Sequence, residues 1–346
     1  MKESAMKTMI LTEQQLDRIL RSIQAARLLV VGDVCLDLYW YADMRRSRLS
    51  RETPHFPLPV VSEKASPGGG SNVMNNLHAL HPGMLRCISV LGDDWRGWLL
   101  RRTLEESGIS TEDMIVSRAF LTPCYGKPMR KGISDVVYED PRLDFENADP
   151  LSQADEEGLI RKLREAAQDA DAVVVCDQFR NGVVTPAVRQ ELEGLAVSGK
   201  TVIVDSRERI GQYKGVIVKP NEVEAAAALG LNSDTIEVTP TRYESLAADL
   251  SRKNSAPALV TLGSQGALWA SNGTVTYAPA WRTDPPLDIV GAGDTFLSAF
   301  AAALAAGIPG DVAAAFANLA SAVTIRKIGT TGTASPEEIT VRFREG

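Results

Sequence analysis

The chain has 346 residues, 44% of them hydrophobic and 23% charged, with a net charge of −7. That length and apolar content suffice for a full α/β core, and the acidic balance excludes nucleic acid or an anionic membrane surface as the main partner. No apolar run approaches the roughly 20 residues of a membrane span, and Met1-Lys2-Glu3-Ser4 leads into charged residues rather than a signal peptide, so a soluble, cytoplasmic protein is expected.

Thr12-Glu13-Gln14-Gln15 reads as a capping box, and Leu16, Ile19, Leu20 and Ile23 follow at helical spacing. Leu28-Leu29-Val30-Val31 is then a buried strand ending at Gly32. Asp33 and Asp37 come just past it, where open α/β sheets bind ligands and where turn-capping aspartates are also common. Residues 39–61 mix aromatics, β-branched residues, charges and three prolines, the composition of exposed strands. Pro67-Gly68-Gly69-Gly70-Ser71-Asn72 precedes a helical stretch reaching about Leu80. Glycines there permit close approach of a polar ligand, with Asn72 able to donate and accept; a flexible linker is the plainer alternative.

Leu91-Gly92-Asp93-Asp94 leads into a helix over Trp98–Ser107, and residues 115–146 are again strand-rich and loop-rich. Those residues could pair with 39–61 as a small separate sheet, a lid. The second half alternates. Val173–Val175, Val202–Val204, Val216–Val218 and Leu259–Leu262 are short apolar strands with helical stretches between most of them, the pattern of a parallel sheet with covering helices. Asn272-Gly273 before Val275-Thr276-Tyr277 reads as a hairpin.

Several motif matches fail on context. Gly194-Leu195-Ala196-Val197-Ser198-Gly199-Lys200-Thr201 satisfies the phosphate-loop expression G-x-x-x-x-G-K-[ST] letter for letter. That loop works only between a preceding strand and a following helix; here a helix precedes and a strand follows, so Gly199 reads as a helix terminator. The strand ending at Val31-Gly32 lacks G-x-G-x-x-G, which weakens a dinucleotide reading, and Asn272-Gly273-Thr274 fits a glycosylation expression without meaning in a cytosolic chain. Cys35, Cys87, Cys124 and Cys176 are far apart, and His55, His78 and His81 are the only histidines, so reduced thiols are expected and neither a zinc site nor a histidine triad.

Four stretches bear on phosphate chemistry. Gly291-Ala292-Gly293-Asp294 precedes the Ala-rich run 297–306, which Gly307 ends, so it lies at a helix N-terminus, where free backbone N–H groups attract anions. Asp294 is then either a base beside a phosphate cradle or a carboxylate near the positive end of the helix dipole. Asn221 and Glu224 can share one face of a helix start and hold hydrated Mg²⁺, or form an ordinary capping box. Thr261-Leu262-Gly263-Ser264-Gln265-Gly266 follows a strand and could offer donors to a nucleotide phosphate or make a plain hairpin turn. Lys327 to Thr333 is a loop of small residues after an Ala-rich helix that carries Asn318.

In this order, from about Leu28 to Ile339, these stretches resemble the PfkB/ribokinase family of carbohydrate kinases. Asp288-x-x-Gly291-Ala292-Gly293-Asp294 resembles the signature D-[TV]-T-G-A-G-D, Gly68-Gly69-Gly70-Ser71-Asn72 the N-terminal glycine signature, and Asn221-x-x-Glu224 the metal-linked N-x-x-E. Within the family, residues 31–40, Ser47-Arg48-Leu49-Ser50, Arg142–Glu146 and Lys327–Thr330 are most similar to kinases of D-glycero-D-manno-heptose 7-phosphate.

The resemblance implies one ribokinase-like domain over residues 1–346, a three-layer α/β/α core with a mostly parallel sheet and a β-sheet lid from about 39–61 and 115–146. It implies transfer of a phosphoryl group from ATP, with Mg²⁺, to a sugar or sugar-phosphate hydroxyl, such as the anomeric hydroxyl of a heptose 7-phosphate. Asp294 would be the base, and Gly291, Ala292 and Gly293 would complete its catalytic motif, the N–H groups of Ala292, Gly293 and Asp294 forming an anion hole. Asp37, Gly69, Gly70 and Asn72 would hold the sugar. Asn221, Thr261, Gly263, Gly266 and Asn318 would line the nucleotide site, and Asn221 and Glu224 would order Mg²⁺. Asp288 with the Lys327–Thr333 loop would bind a monovalent cation such as K⁺, and the lid would make a homodimer.

The chain departs from the pattern at three places. Val290 stands where the signature has Thr, Arg51 and Thr53 with Pro54-His55-Phe56-Pro57 alter the 47–61 segment, and Asp205-Ser206-Arg207 replaces a D-P-K element. Because the sequence ends soon after Ile339, the nucleotidyltransferase half of bifunctional relatives is expected to be missing. The alternatives are a kinase of the same type for another sugar or a nucleoside, and a catalytically silent sugar-binding protein on this fold.

Overall fold

The computed structural model describes residues 6–134, 136–231, 240–329 and 331–346, without side-chain detail at 240–242. Met1–Ser4, Asp135 and Thr330, which figure in the expectations above, lie outside the described residues.

In the first half, β1 (Lys7–Thr8) and α1 (Glu13–Ile23) come first; Thr12 and Gln15 close the capping box reciprocally, and Leu16, Ile19 and Ile23 are buried. β2 (Arg27–Gly32), β3 (Val34–Asp43) and β4 (Val60–Gly69) follow, then α2 (Gly70–Ala79), β5 (Met84–Ile88) and β6 (Val90–Gly92). Asp94 caps α3 (Trp95–Glu106) through the Gly97 N–H, so this helix begins three residues before the sequence suggested. β7 (Ile115–Ser117), β8 (Cys124–Lys131), β9 (Val137–Glu139) and β10 (Leu143–Phe145) complete this half.

The second half runs α4 (Gln153–Asp169), β11 (Ala172–Asp177), α5 (Pro186–Val197), β12 (Thr201–Ser206), β13 (Ile217–Val218), α6 (Glu222–Ala228) and α7 (Pro240–Asn254). It continues with β14 (Ala258–Thr261), β15 (Gly266–Ser271), β16 (Thr274–Pro279), α8 (Ala292–Ala305), α9 (Gly310–Thr324) and α10 (Pro336–Glu345). Gly199 lies between α5 and β12 with φ +93°, the left-handed backbone of a helix terminator, so the apparent phosphate loop has its elements in the wrong order.

Among the described residues, nine strands form one sheet in the order β1-β16-β15-β14-β13-β12-β11-β2-β5. The pairs are parallel except β14–β15 and β15–β16, the latter closed by Asn272 and Gly273 in left-handed backbone. Alternation along β2 and β11 divides the apolar residues between two cores. Leu28, Val30 and Val174 pack with helices α1, α2, α8 and α9, whereas Leu29, Val31, Val173 and Val175 pack with α4, α5 and α7. The result is a three-layer α/β/α body, with strand runs apolar throughout because both faces are covered.

A second sheet has the order β10-β8-β3-β4, with β9 on β8. It differs in extent from the segments 39–61 and 115–146. β3 starts at Val34 and β4 runs to Gly69, so the Pro67-Gly68-Gly69 segment is strand and not loop. A Cβ on Gly70 would come within 2.5 Å of the Asp33 carbonyl, so that glycine serves backbone packing. Residues 115–117 pair with β6 in a separate two-stranded sheet. The apolar patterning of the region made these segments strands but did not specify which strand each would pair with.

Candidate active site

Gly291, with φ +80°, is the N-cap of α8 and supplies no side-chain cap. A Cβ there would lie 3.0 Å from Asn72 Nδ2, so the position is both left-handed and sterically tight. The Ala292 N–H donates to the Ile289 carbonyl at 3.1 Å. The amides of Gly293 and Asp294 have no backbone partner among the described residues, as expected for the first turn of a helix. Asp294 Oδ2 accepts from Asn72 Nδ2 at 2.7 Å, joining α8 to α2 across 222 residues.

Beside them lies a cleft of about 240 Å³. It brings Gly293 and Asp294 together with Asn221, Glu224 and Thr261, and adds Gln178, Asp205, Arg207 and Lys219. Most of these residues sit at the C-terminal ends of β11, β12, β13 and β14, where parallel sheets present ligands. A larger hollow of about 380 Å³ near the β15–β16 turn includes Ser251, Arg252 and Asn272 but no carboxylate, and so offers no comparable chemistry.

The electrostatics favour a base. Burial raises the Asp294 carboxyl to about 6; the Asn72 amide opposes this, Asp205 adds to it, Lys219 opposes it and Asp37 adds to it. Lys219 is only 4% exposed and its Nζ lies 3.3 Å from Asp205 Oδ2. Burial alone would lower its ammonium, but Asp205 and Glu224 outweigh that and hold it above the usual lysine range. Glu224 is also raised, by burial first, against the Asn221 N–H that its carboxylate accepts at 2.8 Å. The capping box of Asn221 and Glu224 is therefore present, and the same two residues face the cleft.

Asp37 is buried on β3, and burial raises its carboxyl despite Lys127. Lys127 Nζ lies 3.5 Å from Asp37 Oδ2 and donates to the Tyr39 hydroxyl at 2.9 Å. Nearby, the Arg142 guanidinium stacks 4.1 Å from the Tyr125 ring centroid, and Arg207 Nη1 reaches the Tyr125 hydroxyl at 3.5 Å. Arg142 is paired bidentately with Asp144; no carboxylate pairs with Arg207 among the described residues.

Other predicted residues have structural duties. Asn318 Nδ2 donates to the Ala278 and Pro279 carbonyls at 2.9 and 3.1 Å, which ties α9 to β16. Gly266, with φ +101°, closes the β14–β15 hairpin, and a Cβ there would fall 2.2 Å from the Ala278 carbonyl oxygen. Gly263 begins the short 3₁₀ turn of the same hairpin; neither glycine lines the cleft. Asp288 accepts from the Val290 N–H at 3.1 Å and the Gly329 N–H at 2.8 Å, which ties Gly329 to the segment ahead of α8. Asp33 accepts from the N–H groups of Gln178, Phe179 and Val183 at 2.6–2.7 Å, which makes it the turn-capping aspartate and not a ligand.

Sequence reasoning missed Lys127 and Lys219. The available signal for Lys219 was a lysine directly after the apolar run 216–218, where a buried cation needs a partner.

The fold is of the ribokinase type. Phosphofructokinase-2 from Escherichia coli, solved with substrates and products, superposes with a TM-score of 0.72 at 18% identity over 93% of this chain and 99% of its own. Ribokinase from Arabidopsis thaliana, solved with ribose and ATP, gives 0.68 at 20% identity over 92% and 99%. Residues 25–338 match the pfkB family of carbohydrate kinases, and the chain belongs to that family. The bifunctional protein HldE of Citrifermentans bemidjiense is 34% identical over 92% of this chain, and that of Wolinella succinogenes 32% identical over 93%. The chain spans 64% and 65% of the length of these two relatives.

Proposed function

We propose that the chain transfers the γ-phosphoryl group of ATP to a hydroxyl of a sugar phosphate. The observation that carries the reading is the Asp294 carboxylate, held by Asn72 beside the first-turn amides of α8 at the edge of a cleft that also holds Lys219 and Arg207. Asp294 takes the proton of the acceptor hydroxyl as that oxygen attacks phosphorus, and the ADP oxygen leaves in line. The Gly293 and Asp294 N–H groups and the Lys219 ammonium stabilise charge on the phosphoryl oxygens. Positioning of the two reactants supplies much of the remaining acceleration.

Asn221 and Glu224 fit a hydrated Mg²⁺, which needs only one or two carboxylates because it keeps several waters. Bound there, it supplies neutralisation of phosphate charge. Thr261 marks the nucleotide side of the cleft. A monovalent cation would sit between Asp288 and the 327–333 loop, with one hydroxyl fewer because of Val290. Exposed Val60, Val61, Val137, Tyr138 and Leu143 on the second sheet support a homodimer through that sheet, which would then also act as the lid. Activity indifferent to exchange of K⁺ for Na⁺ would remove the cation from this reading, and a one-chain mass in sedimentation would remove the dimer.

The acceptor side distinguishes a sugar phosphate from a plain sugar. Asp37 suits hydroxyls, while Arg207, without a carboxylate partner among the described residues, and Arg142 flank Tyr125 close by. That arrangement favours an acceptor with an anionic end, such as a heptose 7-phosphate. Acceptor-dependent ADP release across heptose 7-phosphate, fructose phosphates, ribose and nucleosides tests this. Phosphorylated sugars are expected to lead. Arg207→Ala should raise KM for a phosphorylated acceptor about 10- to 100-fold, as expected for loss of a hydrogen bond to a charged group, and leave weak turnover of the unphosphorylated sugar unchanged. Equal losses on both acceptors would contradict the anionic subsite.

A further inference from the structure

Four side chains from two helices form an unbroken line of hydrogen bonds ending on the proposed base. Thr295 Oγ1 donates to Asn76 Oδ1 at 2.7 Å. Asn76 Nδ2 donates to Asn72 Oδ1 at 3.2 Å and to the Asn72 carbonyl at 2.9 Å. Asn72 Nδ2 donates to Asp294 Oδ2 at 2.7 Å. The line thus leaves the first turn of α8, crosses two residues one turn apart on α2, and returns to α8. Ser298 pins the same two helices, donating to the Val73 and Asp294 carbonyls at 3.1 and 2.7 Å.

We propose that Asn76 and Thr295 are positioning residues that keep the N–H end of the Asn72 amide on Asp294 and so stabilise the ionised carboxylate that acts as the base. A primary amide turned through 180° exchanges donor for acceptor. Were Asn72 to turn, its carbonyl oxygen would oppose the Asp294 carboxylate. Asn76 prevents this by donating to Asn72 Oδ1, and the Thr295 hydroxyl satisfies the Asn76 oxygen that this orientation leaves buried. Asn72, Asn76 and Thr295 are all at most 2% exposed, so water cannot substitute for a lost partner without cost. The charged or titratable groups facing Asp294 from other elements are Asp205, Lys219, Asp37 and the thiols of Cys35 and Cys176. None lies on α2, so changes at Asn76 leave them in place.

The inference rests on Asp294 as the base, and pH profiles of kcat/KM separate the two claims. Asn76→Leu, close in size but without donors, should move the acid-side midpoint up by about one unit, which lowers turnover about eightfold at pH 5.5 and by less than twofold at pH 8.5. Thr295→Val should move it the same way by less, and it tests the claim independently should Asn76→Leu not fold. Thr295→Ser, which keeps the hydroxyl, should hold the wild-type midpoint. An equal fall at every pH, or unmoved midpoints in folded variants with Asp294→Asn inactive, would overturn the positioning role alone. An active Asp294→Asn would overturn the base itself.

Discussion

Replacing Asp294 with Asn is expected to lower acceptor-dependent turnover by about 10²- to 10⁴-fold, the usual worth of a positioned general base. Asn keeps the shape and can still accept the Asn72 N–H, so the α2–α8 contact and the thermal midpoint should be retained. Rates are measured by ADP release and folding by thermal unfolding; a folded variant within tenfold of wild type would contradict the mechanism. The wild-type pH profile carries the same signature. With the carboxyl raised to about 6 by burial, the base is protonated and idle below that pH. The kcat/KM should therefore fall about tenfold per pH unit on the acid side and level off above roughly pH 7.

Lys219→Met should be nearly as damaging, by a different route. The ammonium is buried against Asp205, and removing it leaves an uncompensated carboxylate in a confined site. Breaking a buried pair costs about 3–5 kcal/mol. Asp205 borders the cleft, so the lower figure applies, a fall of roughly 5 °C in the thermal midpoint. The folded-state value of Lys219 lies above 10.5, so the pair's contribution is complete below that pH and is lost only as pH rises beyond it. The stability difference between wild type and variant should accordingly be the same at pH 8 and pH 9, and smaller near pH 6, where Asp294, whose ionised form Lys219 favours, takes up a proton. Activity should fall as well, because a charge that steadies the ionised Asp294 has gone. A variant with unchanged midpoint and turnover would show that Lys219 serves neither role.

Local signals carried most of the secondary structure. The Thr12 capping box, the Asn272-Gly273 turn and the glycine before α8 are each decided within about one turn of chain, and each is present as read. The strand runs 28–31, 173–175 and 202–204 were legible because strands covered on both faces are apolar throughout. What sequence could not show is which polar groups meet. Asn72 reaches Asp294 over 222 positions and Asn76 reaches Thr295 over 219, distances at which periodicity says nothing. Small and amide side chains serve backbone packing and ligands equally well, so the carbonyls of β16 that Asn318 and Gly266 meet could not be read from the sequence. The second sheet was recognisable as strands, but its boundaries depend on β3 accepting β4 on one side and β8 on the other.

The reading of the cleft as a phosphotransferase site is tested most directly by ³¹P NMR of the protein with ATP, Mg²⁺ and heptose 7-phosphate. A new sugar-phosphate resonance should grow in step with ADP, and neither should appear without the sugar. ADP formed at the same rate with and without the sugar, or with no new phosphate ester, would contradict it.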